Sequence, residues 1–116
     1  MQRTFVHLPP FERRWREFGL GDEELRLLQL WLLLYPAEGD VVKGTRGIRK
    51  VRWNVSGKGK RGGLRVFYVD FPEHGLTFLI TAIRKSQGAD LTRGELSELA
   101  DLVLQLTRTL RRNDGN

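Results

Sequence analysis

Basic side chains are concentrated in the middle of this sequence, between Lys43 and Arg65. That segment holds nine of the twenty lysine and arginine residues and no aspartate or glutamate. Basic side chains gain free energy when they displace the counterions condensed on phosphates, so the expected partner is a polyanion. The alternative is a solvated loop whose charges only keep the protein soluble. The nine residues are Lys43, Arg46, Arg49, Lys50, Arg52, Lys58, Lys60, Arg61 and Arg65.

Some of these cations are spaced so that they can meet on one side of a sheet. Lys50 and Arg52 are two residues apart in a predicted strand and therefore share a face of it. Arg65 begins the next predicted strand, and Arg84 and Lys85 end the one after that. Antiparallel pairing would gather them in one basic concavity, which could hold a phosphodiester and stabilise the charge that builds up on it during transfer. Arg65 is the best phosphate clamp, because a guanidinium is planar and always protonated. The alternative for Lys50 and Arg52 is a solvated strand face.

Glycines and cations alternate in the loop 56–63, whose sequence is SGKGKRGG. The loop lacks the spacing of a nucleotide-binding P-loop and does not lead from a strand into a helix. A flexible cationic hairpin that lies along a nucleic-acid backbone fits it better, with contacts from Lys58, Lys60 and Arg61. On the strand that follows, Tyr68 could stack on a base, although strand aromatics are more often core residues.

Hydrophobic periodicity predicts a small α+β domain with the element order β-α-α-β-β-β-α. Two N-terminal helices and a C-terminal helix accompany an antiparallel sheet, and short connections make its last three strands a meander. The strand 64–71 is apolar on both faces and should be central. Thr92 and Glu95 form a capping box at the start of the last helix. The predicted strands are 4–6, 48–55, 64–71 and 76–83, and the domain is 1–112 with a disordered tail at 113–116.

The second helix, which ends near Tyr35, carries leucines on more than one stripe. Such a helix is either deeply buried or docked against another protein, and burial is the first expectation.

Composition excludes several classes of protein. Without cysteine there is no disulfide framework, thiolate metal site or cysteine nucleophile. His7 and His74 have no carboxylate at a fixed spacing, so no metal or cofactor is expected. The N-terminus lacks the apolar core of a signal peptide, and the longest apolar run, 30–35, is too short to span a bilayer. The net charge of +6 then describes a soluble basic protein, expected in the cytoplasm.

The central segments of the chain resemble the RelE/ParE superfamily of toxins from bacterial type II toxin–antitoxin modules, and in particular its HigB-like branch. The resemblance is carried by GIRKVRW at 47–53 and GKGKRGGLRVFY at 57–68, which match a basic strand, a glycine-rich turn and the pattern G-x-R-[VIL]-x-Y. Phe5 with LPPF at 8–11, the strand end at 79–85 and DLT at 90–92 also match the HigB-like branch. The similarity extends over residues 3–107.

The resemblance implies a metal-independent mRNA endonuclease that works in the ribosomal A site. The ribose 2′-hydroxyl attacks the adjacent phosphate, and lysine and arginine replace the usual pair of histidines. The matching catalytic positions are Lys50 and Arg52 for proton abstraction and charge stabilisation, Arg65 for holding the phosphate, and Lys85 as a further cation. The implied partners are the ribosome, mRNA and an antitoxin, which is expected to be a helix-turn-helix protein. The expected assembly is a homodimer or a hetero-oligomer of toxin and antitoxin. We expect RNA contacts from Arg49, Lys58, Lys60, Arg61, Tyr68 and Arg84.

The chain departs from the family pattern near its last strand. Leu91 stands where some relatives carry tyrosine, and the segment 82–88 lacks a tyrosine and a second lysine of HigB-like sequences. Two alternatives therefore stay open. One is a module of the same fold that binds RNA or antitoxin with weak or no catalysis, and the other is a gyrase inhibitor of the ParE type.

Overall fold

A computed structural model describes residues 2–55, 63–84 and 90–114. Within these ranges, five strands and three helices follow one another, and a 3-10 turn, Pro72–His74, joins the last two strands. The elements are β1 (Thr4–His7), α1 (Pro9–Glu17), α2 (Asp22–Leu34), β2 (Asp40–Val41), β3 (Arg49–Asn54), β4 (Gly63–Phe71), β5 (Leu76–Arg84) and α3 (Arg93–Asp114).

The sheet has the strand order β1-β5-β4-β3-β2. The predicted meander is confirmed, because β3, β4 and β5 pair antiparallel with β4 at the centre. Two details of the predicted fold are wrong. The sheet is mixed, since β1 pairs parallel with β5, and a two-residue strand, β2, precedes β3 on the other edge. After β1 the chain passes through α1 and α2 before it re-enters the sheet at the far edge, so β1 does not pair with the next strand in sequence.

The two faces of the sheet carry different helices and two separate cores. On one face, Phe11 and Trp15 of α1 and Leu28 and Leu32 of α2 pack over the even-numbered residues of β4, such as Tyr68. On the other face, α3 packs over the odd-numbered residues of β4. That second core contains Ile48, Phe67, Val69, Phe78, Ile80 and Val103.

The helix boundaries have local causes. Pro9 and Pro10 begin α1. Proline suits the first turn, because the N–H group that it lacks would have no hydrogen-bond partner within the helix there. The predicted capping box is present: the Glu95 N–H donates to Thr92 Oγ1 at 3.1 Å and the Thr92 N–H to Glu95 Oε1 at 2.9 Å. Helix α3 continues through Asn113 to Asp114, two residues that the sequence had assigned to the tail.

Helix α2 is buried along one stripe only. Leu28 and Leu32 lie in the core, but Leu30 and Leu34 are 45% and 68% exposed. The expectation of burial therefore holds for the side of the helix that faces the sheet and not for its outer leucines.

A buried ion pair ties the first strand to the central one. Arg3 Nε lies 2.9 Å from Asp70 Oδ1, and Arg3 Nη2 lies 3.2 Å from Asp70 Oδ2. The Thr77 hydroxyl on β5 donates to the same carboxylate at 2.7 Å. Asp70 thus has charged and polar partners, which offset the free-energy cost of burying a carboxylate in the sheet.

Candidate nucleic-acid interface

Three of the predicted catalytic cations share one face of the sheet. Lys50 and Arg52 alternate with buried Val51 along β3, and Arg52 lies directly opposite Arg65 on β4. Directly opposed residues of an antiparallel pair point to the same side, with Cβ atoms about 4.5–5.5 Å apart. The three cations are on the face that carries α3, because Lys50 is opposite Phe67 of the second core. The structure therefore brings Lys50, Arg52 and Arg65 to one face of the sheet.

One carboxylate oxygen joins two of these cations. Lys50 Nζ lies 3.3 Å from Asp90 Oδ2, and Arg65 Nη1 lies 3.2 Å from the same oxygen. Asp90 precedes α3, and its other oxygen accepts a hydrogen bond from the Leu91 N–H at 3.0 Å. Two positive side chains from neighbouring strands thus converge on a point that an anionic oxygen occupies.

The surroundings of Asp90 favour its ionised form. Burial raises the pKa of Asp90, but the Leu91 N–H and the cations Lys50 and Arg65 outweigh it, so the pKa lies below the ordinary value. The side chains of Lys50, Arg65 and Asp90 are 35%, 30% and 46% exposed, so an anion from solvent can reach this point.

Arg49 is on the opposite face from Lys50. Its Nη1 donates to the carbonyl oxygens of Ala37 at 3.2 Å and Gly39 at 2.7 Å, and so fixes the chain that leads into β2. The predicted RNA contact of Arg49 is therefore not on the surface of the three cations.

Tyr68 is buried on that same opposite face. Its hydroxyl donates to the Pro36 carbonyl at 2.8 Å and accepts from the Gly39 N–H at 3.2 Å. A Cβ on Gly39 would come within 2.9 Å of the Tyr68 hydroxyl and of the Lys50 carbonyl, which explains a glycine here. The ring has no exposed face on which a base can stack, so the structure differs from the predicted RNA contact at Tyr68.

Arg84 also lies away from the three cations. It is opposite Leu64 in the β4–β5 ladder, and Leu64 belongs to the core under α1 and α2. The Arg84 guanidinium sits 4.9 Å from the centre of the Phe18 ring, a distance typical of a cation–π contact. The remaining predicted residues, Lys58, Lys60, Arg61 and Lys85, lie outside the described residues.

Sequence reasoning missed Asp90 as a member of this site. From the sequence, the segment DLT at 90–92 contributes only to the family resemblance, and Thr92 is identified only as the cap of the last helix. The position of Asp90 nevertheless carried a signal. It lies between the end of β5, where a basic concavity was predicted, and the start of α3.

Two negative findings concern the described residues only. In residues 2–55, 63–84 and 90–114, no three histidines or acids come together in a way that could hold a metal ion. Over the same ranges, no helix combines the length and apolarity that crossing a bilayer requires.

Comparison with known proteins identifies the fold. No protein-family model matches the chain. Among solved structures, the chain is similar to a mutant of the E. coli toxin RelE in the free state, with a TM-score of 0.53 and 19% identity. The similarity covers 75% of this chain and 87% of the RelE chain. The chain has the RelE-like fold. This similarity supports the expected small α+β architecture. Within it, Lys50, Arg52 and Arg65 lie on the sheet.

Proposed function

We propose that this protein is the toxin of a type II toxin–antitoxin module and that it cleaves mRNA in the ribosomal A site. Two features support the proposal. The first is the RelE-like fold, and the second is the placement of three cations on one face of the sheet. The observation that carries it is the meeting of Lys50 Nζ and Arg65 Nη1 on one oxygen of Asp90. A non-bridging oxygen of a phosphodiester carries the same kind of charge and accepts the same hydrogen bonds.

The proposed reaction is an internal transesterification. The ribose 2′-oxygen forms a bond to the adjacent phosphorus while the bond from phosphorus to the 5′-oxygen breaks. The 2′-hydroxyl loses its proton to a base, and the leaving 5′-oxygen gains one. The products are a 2′,3′-cyclic phosphate and a free 5′-hydroxyl, so no outside oxidant or metal enters the balance.

The three described cations would share the work of holding and stabilising the phosphate. Arg65 presents a planar fork that can hold two phosphate oxygens at once. Lys50 and Arg52 approach from the neighbouring strand, where they can stabilise charge on the pentavalent phosphorus and assist proton transfer. The strand ladder fixes the backbone positions of these residues before RNA arrives, and such preorganisation favours electrostatic stabilisation. Lys85, by resemblance, would supply a further cation.

The proposed partners follow from the charge of the site. The ribosome and mRNA offer phosphates, and a cognate antitoxin, expected to be a helix-turn-helix protein, would cover and neutralise the same cations. A cytoplasmic location would bring the protein together with all three.

One observation favours the catalytically weak alternative. Leu91, which stands where some relatives carry tyrosine, packs against the second core, so it supplies no acid or stacking ring to the cations. A module that binds RNA or antitoxin without efficient cleavage is therefore the second candidate. The ParE-type alternative has less support, because a gyrase inhibitor does not require three cations on one face of the sheet, two of which meet at one anionic oxygen.

Expression in bacteria tests the proposal. We expect the wild-type chain to arrest growth, with mRNA cut at codon boundaries and 2′,3′-cyclic ends at the cuts. Arg65→Ala should abolish both effects. Arg108→Ala is the matched control, because it removes the same charge from an exposed site on α3 about 22 Å along the helix from its start.

Each other outcome has a clear meaning. A fully toxic Arg65→Ala protein, or arrest without cleaved mRNA, would contradict the assigned site. RNA binding without cleavage would support the second candidate, and inhibition of gyrase in a supercoiling assay would support the third. Circular dichroism of each variant shows whether a loss of toxicity is only a loss of fold.

A further inference from the structure

Asp90 occupies the point at which the two best-placed cations converge. Its Oδ2 lies within 3.3 Å of Lys50 Nζ and within 3.2 Å of Arg65 Nη1, in the place that a phosphate oxygen would take in the proposed function. The N–H groups of Lys50 and Arg65 that point at this carboxylate oxygen are not available to an RNA phosphate while Asp90 holds them. The position of Asp90 therefore raises the question of whether it assists RNA binding or competes with it.

We infer that Asp90 is a built-in competitor of the RNA phosphate, one that keeps Lys50 and Arg65 paired until RNA displaces it. The inference rests on the proposed function and deepens it, since it concerns the regulation of the same site. Two properties of Asp90 support competition.

The first property is that Asp90 is weakly held. Both ion pairs are partly exposed, with 46% of the Asp90 side chain accessible, and exposed pairs stabilise a protein by only about 0–1 kcal/mol. Among the described residues, the other contact of the carboxylate is with the N–H of its own neighbour, Leu91. An incoming anion can therefore displace the carboxylate at the cost of about tenfold in its own affinity.

The second property is that other contacts hold the elements around Asp90. The start of α3 is capped by Thr92 and Glu95, which bond to each other's backbone N–H groups. The cations themselves stand on β3 and β4, whose ladder fixes their positions. If the role of Asp90 were structural, we would expect it to connect elements that no other contact connects.

The two possible roles of Asp90 predict opposite effects of its removal. If Asp90 competes with phosphate, Asp90→Asn leaves Lys50 and Arg65 free and tightens RNA binding. If Asp90 positions the two cations, the same change lets them move apart and weakens RNA binding. Asparagine keeps an Oδ1 atom that can accept from the Leu91 N–H, so the substitution removes the charge and little else.

The test is the affinity of each variant for a short fluorescent RNA whose 2′-hydroxyls are all methylated, so that it binds without being cut. We expect Asp90→Asn to bind about tenfold more tightly than the wild type, because the phosphate no longer displaces two exposed ion pairs. The matched control is Asp101→Asn on the exposed face of α3, which raises the net charge by the same unit away from the site. Asp90→Ser serves as a second variant if the first does not fold.

The outcomes separate this inference from the proposed function. Tighter binding by Asp90→Asn but not by Asp101→Asn supports competition. An equal gain in both variants would show a general effect of charge and would overturn the inference. Unchanged or weaker binding by Asp90→Asn would overturn it in favour of positioning, while a loss of binding in Arg65→Ala would still support the phosphate site. If no variant, including the wild type, binds RNA, the proposed function fails and the inference fails with it.

Discussion

Arg52 and Arg65 lie directly opposite each other on adjacent antiparallel strands. Like charges in this relationship repel, and directly opposed pairs change stability by about 0.2–1 kcal/mol. Arg52 is exposed and stands at a position where a neutral polar residue would fit the strand equally well. The fold thus tolerates a local repulsion at the place where the proposed function needs positive charge, as is common at functional sites.

This repulsion predicts that Arg52→Gln stabilises the protein. We expect the free energy of unfolding in urea to rise by about 0.5 kcal/mol, because the charge opposite Arg65 is removed. RNA affinity and toxicity should fall in the same variant. Arg13→Gln, at an exposed position on α1, is the control and should leave stability unchanged within about 0.5 kcal/mol. A clear loss of stability in Arg52→Gln would mean that Arg52 has a structural role that its place in the sheet does not suggest.

Much of the sheet could be predicted from sequence because the signals were local. The alternation of β3, β4 and β5 and the short turns between them indicated a meander, and the capping box at Thr92 and Glu95 marked the start of α3. The parallel pairing of β1 with β5 could not be predicted in this way. Its partner lies some seventy residues away, as in the register Thr4 with Leu76, and no local pattern encodes such a contact.

The alternation of side chains along a strand could also have assigned some candidate site residues to opposite faces of the sheet. Tyr68 differs from Arg65 by an odd number of positions and Arg49 from Lys50 by one, so each pair lies on opposite faces. Alternation alone does not sort Arg84, because its place opposite Leu64 depends on the register between β4 and β5. Asp90 is different, because only the three-dimensional arrangement of β3, β4 and the start of α3 brings it to Lys50 and Arg65.

The cations around Asp90 predict a measurable shift in its titration. Burial raises the pKa of Asp90, but the Leu91 N–H, Lys50 and Arg65 together lower it below the ordinary value. Arg65→Ala or Lys50→Ala should therefore raise this pKa toward the ordinary value, as followed by the carboxyl carbon signal in an NMR titration. Since the folded-state pKa is lowered, the stability that Asp90 contributes is present above the unfolded pKa and is lost as pH falls through the folded pKa. An Asp90 pKa that does not respond to either substitution would contradict the two ion pairs.

The ion pair between Arg3 and Asp70 predicts a large cost for breaking it. Their side chains are 8% and 14% exposed, so Asp70→Asn leaves a buried guanidinium without a charged partner. We expect the free energy of unfolding to fall by about 3 kcal/mol, as measured in urea. Glu73→Gln, an exposed acid in the turn after β4, is the control and should change stability by less than about 0.5 kcal/mol. Equal stability of the two variants would show that Arg3 does not hold β1 to the sheet.

The buried hydroxyl of Tyr68 predicts a loss of stability without a loss of RNA binding. Tyr68→Phe leaves the Pro36 carbonyl and the Gly39 N–H without their partner and should cost about 2 kcal/mol of unfolding free energy. Tyr35→Phe is the matched control, because that ring is 50% exposed and its hydroxyl can turn to water. Thermal or urea unfolding measures the difference. A drop in the RNA affinity of folded Tyr68→Phe would instead support the contact with RNA that the sequence suggested.

The shared face of Lys50, Arg52 and Arg65 predicts a steep dependence of RNA binding on salt. The logarithm of the binding constant for a single strand falls with the logarithm of salt concentration, with a slope of about −0.7 for each phosphate neutralised. Three cations alone therefore predict a slope of about −2, and Arg65→Ala should reduce its magnitude by about 0.7. Arg108→Ala, remote on α3, should leave the slope unchanged. Fluorescence anisotropy at several salt concentrations measures all three proteins. A flat dependence in the wild type would mean that RNA meets some other surface, because cations that touch no phosphate release none of the counterions condensed on the RNA.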